Sequence, residues 1–191
     1  MNRALLVIDM QRGFDDASFW GATANPHCEA NVARLIDAWV AGGEPIVVVR
    51  HDSTSPDSPL HPDSPGNALV EPVAAVAPDL FVRKQVNSAF YGDVDLHAWL
   101  AGRGIRDVVL CGIQTNMCVE TTARMAGNLG YDVTVALDAT RTFDLSAEIA
   151  GLGPVTRTAS ELMATTALDL QAGGFASIVA TDALLDARDQ E

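Results

Sequence analysis

Asp107-Val108-Val109-Leu110-Cys111-Gly112-Ile113 leads into an amphipathic run, Asn116–Leu129, and Gly130 then separates that run from Asp132-Val133-Thr134-Val135-Ala136-Leu137. The flanking runs are short and apolar, as strands read when helices cover both faces of a sheet. The stretch between them has helix length and a glycine stop. Strand, helix, strand in this order makes a βαβ unit, and with it a parallel sheet.

Four more apolar runs repeat the pattern: Ala4–Asp9, Pro45–Arg50, Leu80–Arg83 and Phe175–Thr181. Asn25–Ala41 places Val32, Leu35, Ile36, Trp39 and Val40 at helical spacing before Gly42-Gly43. Asp93–Ala101 sets Leu96, Trp99 and Leu100 on one face, and Ser160–Leu170 ends near Gly173-Gly174. The expected fold is α/β, a three-layer αβα sandwich on a six-stranded parallel sheet, with residues 1–191 as one domain. Asp52–Pro78 holds six of the nine prolines. It is expected to be an irregular excursion able to cover a pocket.

Composition removes several function classes. Apolar residues make up 48% and charged ones 19%, which excludes intrinsic disorder. A net charge of −13 argues against nucleic acid and against anionic membrane surfaces. No apolar run reaches the roughly 18 residues of a membrane span, and the first is too short for a signal segment. Cys28, Cys111 and Cys118 are odd in number and form no CxxC pair, so neither a disulfide framework nor a structural zinc is expected. These features place the protein in the cytoplasm.

Ligands of open parallel sheets bind at the carboxyl ends of strands. Three residues fall there. Asp9 closes the first strand, where a carboxylate after four apolar residues either caps a helix, meets solvent or does chemistry. Cys118 follows the fourth strand in the first turn of a helix, with Thr115 or Asn116 as its N-cap. Free backbone N–H groups there favour a thiolate and can hold an oxyanion. Cys111 and Cys28 read instead as small core side chains. Lys84 follows the third strand, either solvated or holding Asp9 and Cys118 in their charged forms.

The three segments around these residues resemble those of the isochorismatase-like cysteine hydrolases. They are Val7-Ile8-Asp9-Met10-Gln11-Arg12-Gly13-Phe14, Lys84-Gln85-Val86-Asn87-Ser88-Ala89-Phe90, and Gly112-Ile113-Gln114-Thr115-Asn116-Met117-Cys118-Val119-Glu120-Thr121-Thr122-Ala123-Arg124. The resemblance implies a Rossmann-like strand order 3-2-1-4-5-6 and a catalytic Asp9–Lys84–Cys118 triad. It also implies a cis peptide between Ile113 and Gln114, an oxyanion hole from the Gln114 and Cys118 N–H groups, and a homo-oligomer, dimer or tetramer. Asp9 would take the Cys118 proton, the thiolate would attack an amide or ureido carbonyl, and water would release the thioester.

Departures from the family pattern narrow the reading. The nicotinamidase branch holds a metal through Asp-x-His after the second strand. Here Arg50-His51-Asp52 reverses that order, and His61 and Asp63 complete no ligand set, so no metal and no cofactor are expected. His51 reads as a hydrogen-bonded strand-end histidine. Isochorismatases proper, which cleave an enol ether, lack the cysteine. Arg141 is either a clamp for a substrate carboxylate or a surface arginine paired with an acid. Phe14, Phe19, Trp20, Phe90, Tyr91 and Phe143 flank the motifs as candidate pocket walls or core residues, with Phe14 and Phe90 foremost because they sit inside motifs. Residues 15–25, 52–78 and 141–156 are expected to set substrate choice.

The expected function is hydrolysis of a C–N bond in a small non-peptide amide or carbamoyl compound. Enol-ether hydrolysis by Asp9 and Lys84 is the second reading, and a thiol redox sensor or non-catalytic binding module the third.

Overall fold

The computed structural model describes residues 3–188 and 190. In chain order it runs β1 (Arg3–Ile8), α1 (Ala17–Trp20), α2 (Cys28–Gly42), β2 (Ile46–His51), α3 (Glu71–Ala74) and β3 (Leu80–Lys84). There follow α4 (Leu96–Gly102), β4 (Asp107–Ile113), α5 (Glu120–Asn128), β5 (Asp132–Arg141), β6 (Leu145–Ile149) and β7 (Gly153–Arg157). The chain then runs through α6 (Ala159–Ala172), β8 (Ser177–Val179) and α7 (Thr181–Arg188). Six strands form one parallel sheet in the order β3-β2-β1-β4-β5-β8. This is the expected three-layer α/β architecture, with β8 as the sixth strand of the sheet.

The sheet is buried on both faces, and strand geometry divides its side chains between two cores. Ala4, Leu6 and Ile8 of β1 pack with Val47, Val49, Val108 and Leu110 under α4, α5 and α6. Leu5 and Val7 pack with Ile46, Val48, Val109 and Cys111 under α2 and α7. Residues 4–8 are fully buried, which explains why β1 reads as a continuous apolar run. Trp39 anchors α2, its indole N–H donating to the Arg3 carbonyl (3.1 Å) while Arg188 of α7 lies over its ring (3.9 Å).

Several boundaries differ from expectation, each for a local reason. α2 starts at Cys28 because Asn25 adopts φ +62° and donates to the carbonyls of Asp138 and Thr140 (2.7 and 2.6 Å), which ties the chain to β5 before the helix. β5 runs on to Arg141 past an irregularity opposite β4 between Leu110 and Gly112. The last apolar run forms a strand only over Ser177–Val179. β6 and β7 form an antiparallel hairpin where a loop was expected. α6 begins one residue early because Thr158 and Glu161 form a capping box.

The proline-rich stretch from Asp52 onward is folded back on the turn Arg12–Asp15. A Cβ on Gly66 would sit 2.5 Å from the Pro59 carbonyl oxygen and 2.8 Å from Gly13 Cα, so only glycine permits this contact. Strand order reverses between β1 and β4, which places the ligand crevice at their carboxyl ends. No described helix is long and apolar enough to cross a membrane.

Candidate active site

β1 delivers Asp9 in an unusual backbone conformation, φ +51°, which Asp tolerates better than most residues and which clusters at functional positions. Gly112 of β4 packs directly against the preceding residue: a Cβ there would lie 1.9 Å from the Ile8 carbonyl oxygen. The close approach brings the end of β4 alongside Asp9. The Ile113–Gln114 peptide is cis, as the resemblance implied.

The chain then enters a π-helical turn, Thr115–Val119, that holds Cys118 and continues into α5. Neither Thr115 nor Asn116 is the N-cap; Gln114 takes that position without a side-chain cap bond. Both side chains are bonded instead to the end of β5 and the residue just after it. Thr115 donates to the Thr140 hydroxyl (2.8 Å), and the Thr142 hydroxyl donates to Asn116 Oδ1.

Lys84, the last residue of β3, has its side chain fully buried and reaches over β2 to β1. Its ammonium donates to Asp9 Oδ2 at 2.5 Å and to Cys118 Sγ at 3.2 Å, and lies 3.2 Å from His51 Nδ1. Strand ends thus bring together the three residues singled out from sequence. They also bring in His51, whose role at an ammonium could not be told from that of any strand-end histidine. The signal available in sequence was Gln11, a polar residue in a buried stretch, whose amide brackets the His51 backbone.

The electrostatics correct one expectation. Cys118 is a thiol at rest, not a thiolate: burial and then the charge of Asp9 push it up to about 12, outweighing Lys84. Burial alone would lower Lys84, but Asp9 and Cys118 raise it above its ordinary value. Burial and then Lys84 lower His51, keeping its imidazole neutral at pH 7. Asp9 and Lys84 already neutralise each other, so an ionised Cys118 would add an uncompensated charge to a buried cluster.

Asp9, His51, Gln114 and Cys118 line a cavity of about 480 Å³ walled by Phe14, Trp20, Phe143, Leu60 and Met117. Three of these rings pack together: Phe14 is tilted against Trp20 at 4.8 Å, while Trp20 stacks on Phe143 at 5.4 Å and Phe14 on Phe143 at 6.0 Å between centroids. Phe14 is one of the cavity walls. Phe90 is not, because it packs on Tyr131 (5.9 Å) against the core on the opposite face of the sheet. Arg141 is not a pocket residue either: largely buried, it is ion-paired with Asp15 at 3.0 Å and lies 3.9 Å from Glu29. Phe19 and Trp20 of α1 and Phe143 after β5, also candidates from sequence, line the pocket, and Met117 of the π-helical turn joins them without having been singled out.

Metal-donor atoms of Asp9, His51 and Cys118 lie within 4.8 Å of one another. The Lys84 ammonium, within 3.2 Å of each, stands among these donors. A cation so placed repels a divalent ion that these donors would otherwise suit.

An isochorismatase domain model matches residues 3–164. An uncharacterized isochorismatase family protein of Bacillus subtilis (strain 168), YrdC, is 36% identical over 143 residues, covering 75% of each chain. Nicotinamidase 3 of Arabidopsis thaliana is 32% identical over 194 residues, covering 95% of this chain and 86% of its own. A streptothricin hydrolase of Streptomyces noursei is 34% identical over 149 residues, covering 76% of this chain and 51% of its own. An isochorismatase-family structure from Chromobacterium violaceum ATCC 12472 superposes with a TM-score of 0.89 at 36% identity, covering 100% of this chain and 95% of that one.

Proposed function

This chain belongs to the isochorismatase family, and we propose that within it the protein is a cysteine hydrolase of small amides or carbamoyl compounds, with Asp9, Lys84 and Cys118 as its catalytic groups. The observation that carries the reading is the buried ammonium of Lys84 bonded to both Asp9 and Cys118 beneath one pocket.

Asp9 Oδ2 is engaged by Lys84, whereas Oδ1 is buried and accepts no hydrogen bond among the described residues. That free oxygen is the proton acceptor. Transfer from Cys118 to Asp9 leaves a thiolate, a neutral carboxyl and the ammonium, so the net charge of the cluster does not change. The thiolate adds to the substrate carbonyl, and the N–H groups of Gln114 and Cys118 receive the oxyanion. Asp9 returns its proton to the nitrogen as the C–N bond breaks, releasing ammonia or an amine and leaving a thioester on Cys118. Asp9 then takes a proton from water, the hydroxide adds to the thioester, and the carboxylic or carbamic acid departs as Cys118 regains its proton.

The walls favour a neutral, largely apolar body. The aromatic side holds Phe14, Trp20 and Phe143, the acidic lining residues are Asp9 and Asp144, and the one lysine at the site already faces Asp9. Arg141 lies outside the cavity lining, with one guanidinium nitrogen on Asp15 and its buried Nε without a partner among the described residues, so it is not placed to clamp a substrate carboxylate in the cavity. The relatives named a nicotinamidase and a streptothricin hydrolase support an amide substrate.

The test is ammonia or amine release from a panel of neutral aromatic amides, aliphatic amides and ureido acids. Neutral amides should be hydrolysed, a mass increment should appear on Cys118 during turnover, and Cys118→Ala should abolish the activity. Turnover that survives Cys118→Ala would exclude the thioester route. If that variant also cleaved an enol ether in an Asp9-dependent manner, the second reading from sequence would replace the first.

A further inference from the structure

We propose that His51 is a positioning residue of this site: its neutral imidazole accepts the third hydrogen of the Lys84 ammonium at Nδ1 and so aims that ammonium at Asp9 and Cys118 together. The inference rests on the Asp9–Lys84–Cys118 reading of the site, but its test needs no turnover.

An ammonium carries three N–H donors and no acceptor, and a fully buried one must find three partners. Lys84 has three, Asp9 Oδ2 at 2.5 Å, Cys118 Sγ at 3.2 Å and His51 Nδ1 at 3.2 Å. Since the ammonium can only donate, Nδ1 must offer its lone pair, which puts the imidazole proton on Nε2. The sheet register builds this contact. His51 and Lys84 are direct partners on β2 and β3, so their side chains rise side by side.

The backbone of His51 is held by two buried amides. The His51 N–H donates to Gln11 Oε1 (2.9 Å), while Gln11 Nε2 and Asn67 Nδ2 donate to the His51 carbonyl at 3.0 and 3.2 Å. A strand end needs no such clamp to terminate. Fixing one residue from both sides is the arrangement expected where a ring must hold its orientation.

Burial is the first reason the ring stays neutral, Lys84 adds to it, and the acids facing the ring do not reverse it. Lys84 on β3 and Asp9 after β1 oppose each other, Cys118 is a thiol, and adjacent Asp52 is bound by Arg50 at 2.8 Å. A protonated ring would lose its acceptor and set a second cation against Lys84.

Three substitutions separate the two ring nitrogens. His51→Asn places an amide oxygen near the Nδ1 position, His51→Gln extends an amide toward the Nε2 position, and His51→Leu fills the space with no acceptor. The readout is the rate of Cys118 carbamidomethylation by iodoacetamide at pH 9, resolved by peptide mass spectrometry, with circular dichroism confirming the fold. Loss of the third acceptor loosens the ammonium from Cys118. Since one pKa unit changes the thiolate fraction tenfold, His51→Leu should react roughly tenfold more slowly than wild type. His51→Asn should stay within about twofold, and His51→Gln should fall with His51→Leu.

A His51→Leu rate equal to wild type would overturn the proposal, as would rescue by Gln but not by Asn, which would move the role to Nε2. Lys84→Met in the same assay distinguishes the two levels. If it slows Cys118 and His51→Leu does not, only the role of His51 falls. If neither slows it, the coupled site itself is wrong. Should His51→Leu fail to fold, the contrast between Asn and Gln decides alone.

Discussion

The Asp9–Lys84 pair should behave in stability measurements as a unit that cannot be half removed. Both side chains are fully buried and their charged atoms are 2.5 Å apart. With an effective dielectric constant near 20, that separation corresponds to an attraction of about 7 kcal/mol, set against the desolvation of both ions. Removing one partner strands the other charge, a loss of about 3–5 kcal/mol for buried pairs. The two halves should differ. Asp9→Asn leaves the ammonium with Cys118 and His51, whereas Lys84→Met leaves a carboxylate whose Oδ1 has no partner among the described residues and whose Oδ2 loses its donor. Lys84→Met should therefore lie at the upper end of that range and Asp9→Asn at the lower. In the double variant no charge is stranded, so its loss should fall short of the sum by about 2–3 kcal/mol. Urea unfolding at pH 7.5, followed by tryptophan fluorescence, measures all four corners of the cycle. Additive losses, or single losses below about 1 kcal/mol as at exposed pairs, would show that the charges are not buried together.

Three further outcomes follow from the geometry. Gly112→Ala should abolish accumulation of folded protein, because its Cβ would meet the Ile8 carbonyl oxygen at 1.9 Å on a backbone with φ +119°; a variant with wild-type melting temperature would refute the close approach. Alkali should destabilise the fold. Burial, first among the causes at each, pushes the Cys28 and Cys118 thiols up to about 12. Each thiol holds its proton more tightly folded than unfolded. The stabilisation is complete below the ordinary thiol range and is lost as pH climbs toward 12, at about 1.4 kcal/mol per pH unit per thiol. Cys28→Ala should remove one such contribution from the slope, and a flat stability profile above pH 9 would contradict the burial of these thiols. Arg141→Met should leave the ratio of rates on anionic and neutral amides unchanged, since Asp15 and not the pocket holds the guanidinium; a selective loss on anionic amides would return Arg141 to substrate binding.

The parts of this molecule legible in sequence were those governed by a local rule. β1 read as a strand because its residues alternate into two largely apolar cores. Asp9, Lys84 and Cys118 stood out because each follows a strand that had to end at the sheet's carboxyl edge. What stayed hidden depended on partners distant in sequence. Arg141 meets Asp15 across 126 positions, and nothing in either neighbourhood marks the pairing. β6 shows no buried face, so the alternation of Leu145, Ala147 and Ile149 had no core to reveal it. β5 runs past its apolar run because Thr140 lies opposite Gly112, a register only the folded sheet supplies. His51 could not be separated from an ordinary strand-end histidine until the reach of Lys84 over β2 was known.

The resting state of Cys118 was also hidden, and it bears on what the protein is for. A helix turn and a nearby lysine both argue for a thiolate when taken singly. Together with Asp9 they argue the opposite, because the lysine's charge is already matched and the pocket is too buried to hold a second anion. Oxidation by peroxide follows thiolate character, so a thiol raised this far is a poor redox sensor. For a hydrolase the same state is workable, since the proton moves to Asp9 within the cluster and only a substrate carbonyl need accept the developing charge. Peroxide at neutral pH should accordingly give sulfenic acid on Cys118 more slowly than on a free cysteine peptide, as read by dimedone labelling. Labelling faster than the peptide would mean that the thiol is ionised at rest, and the charge balance drawn from Asp9 and Lys84 would then be wrong.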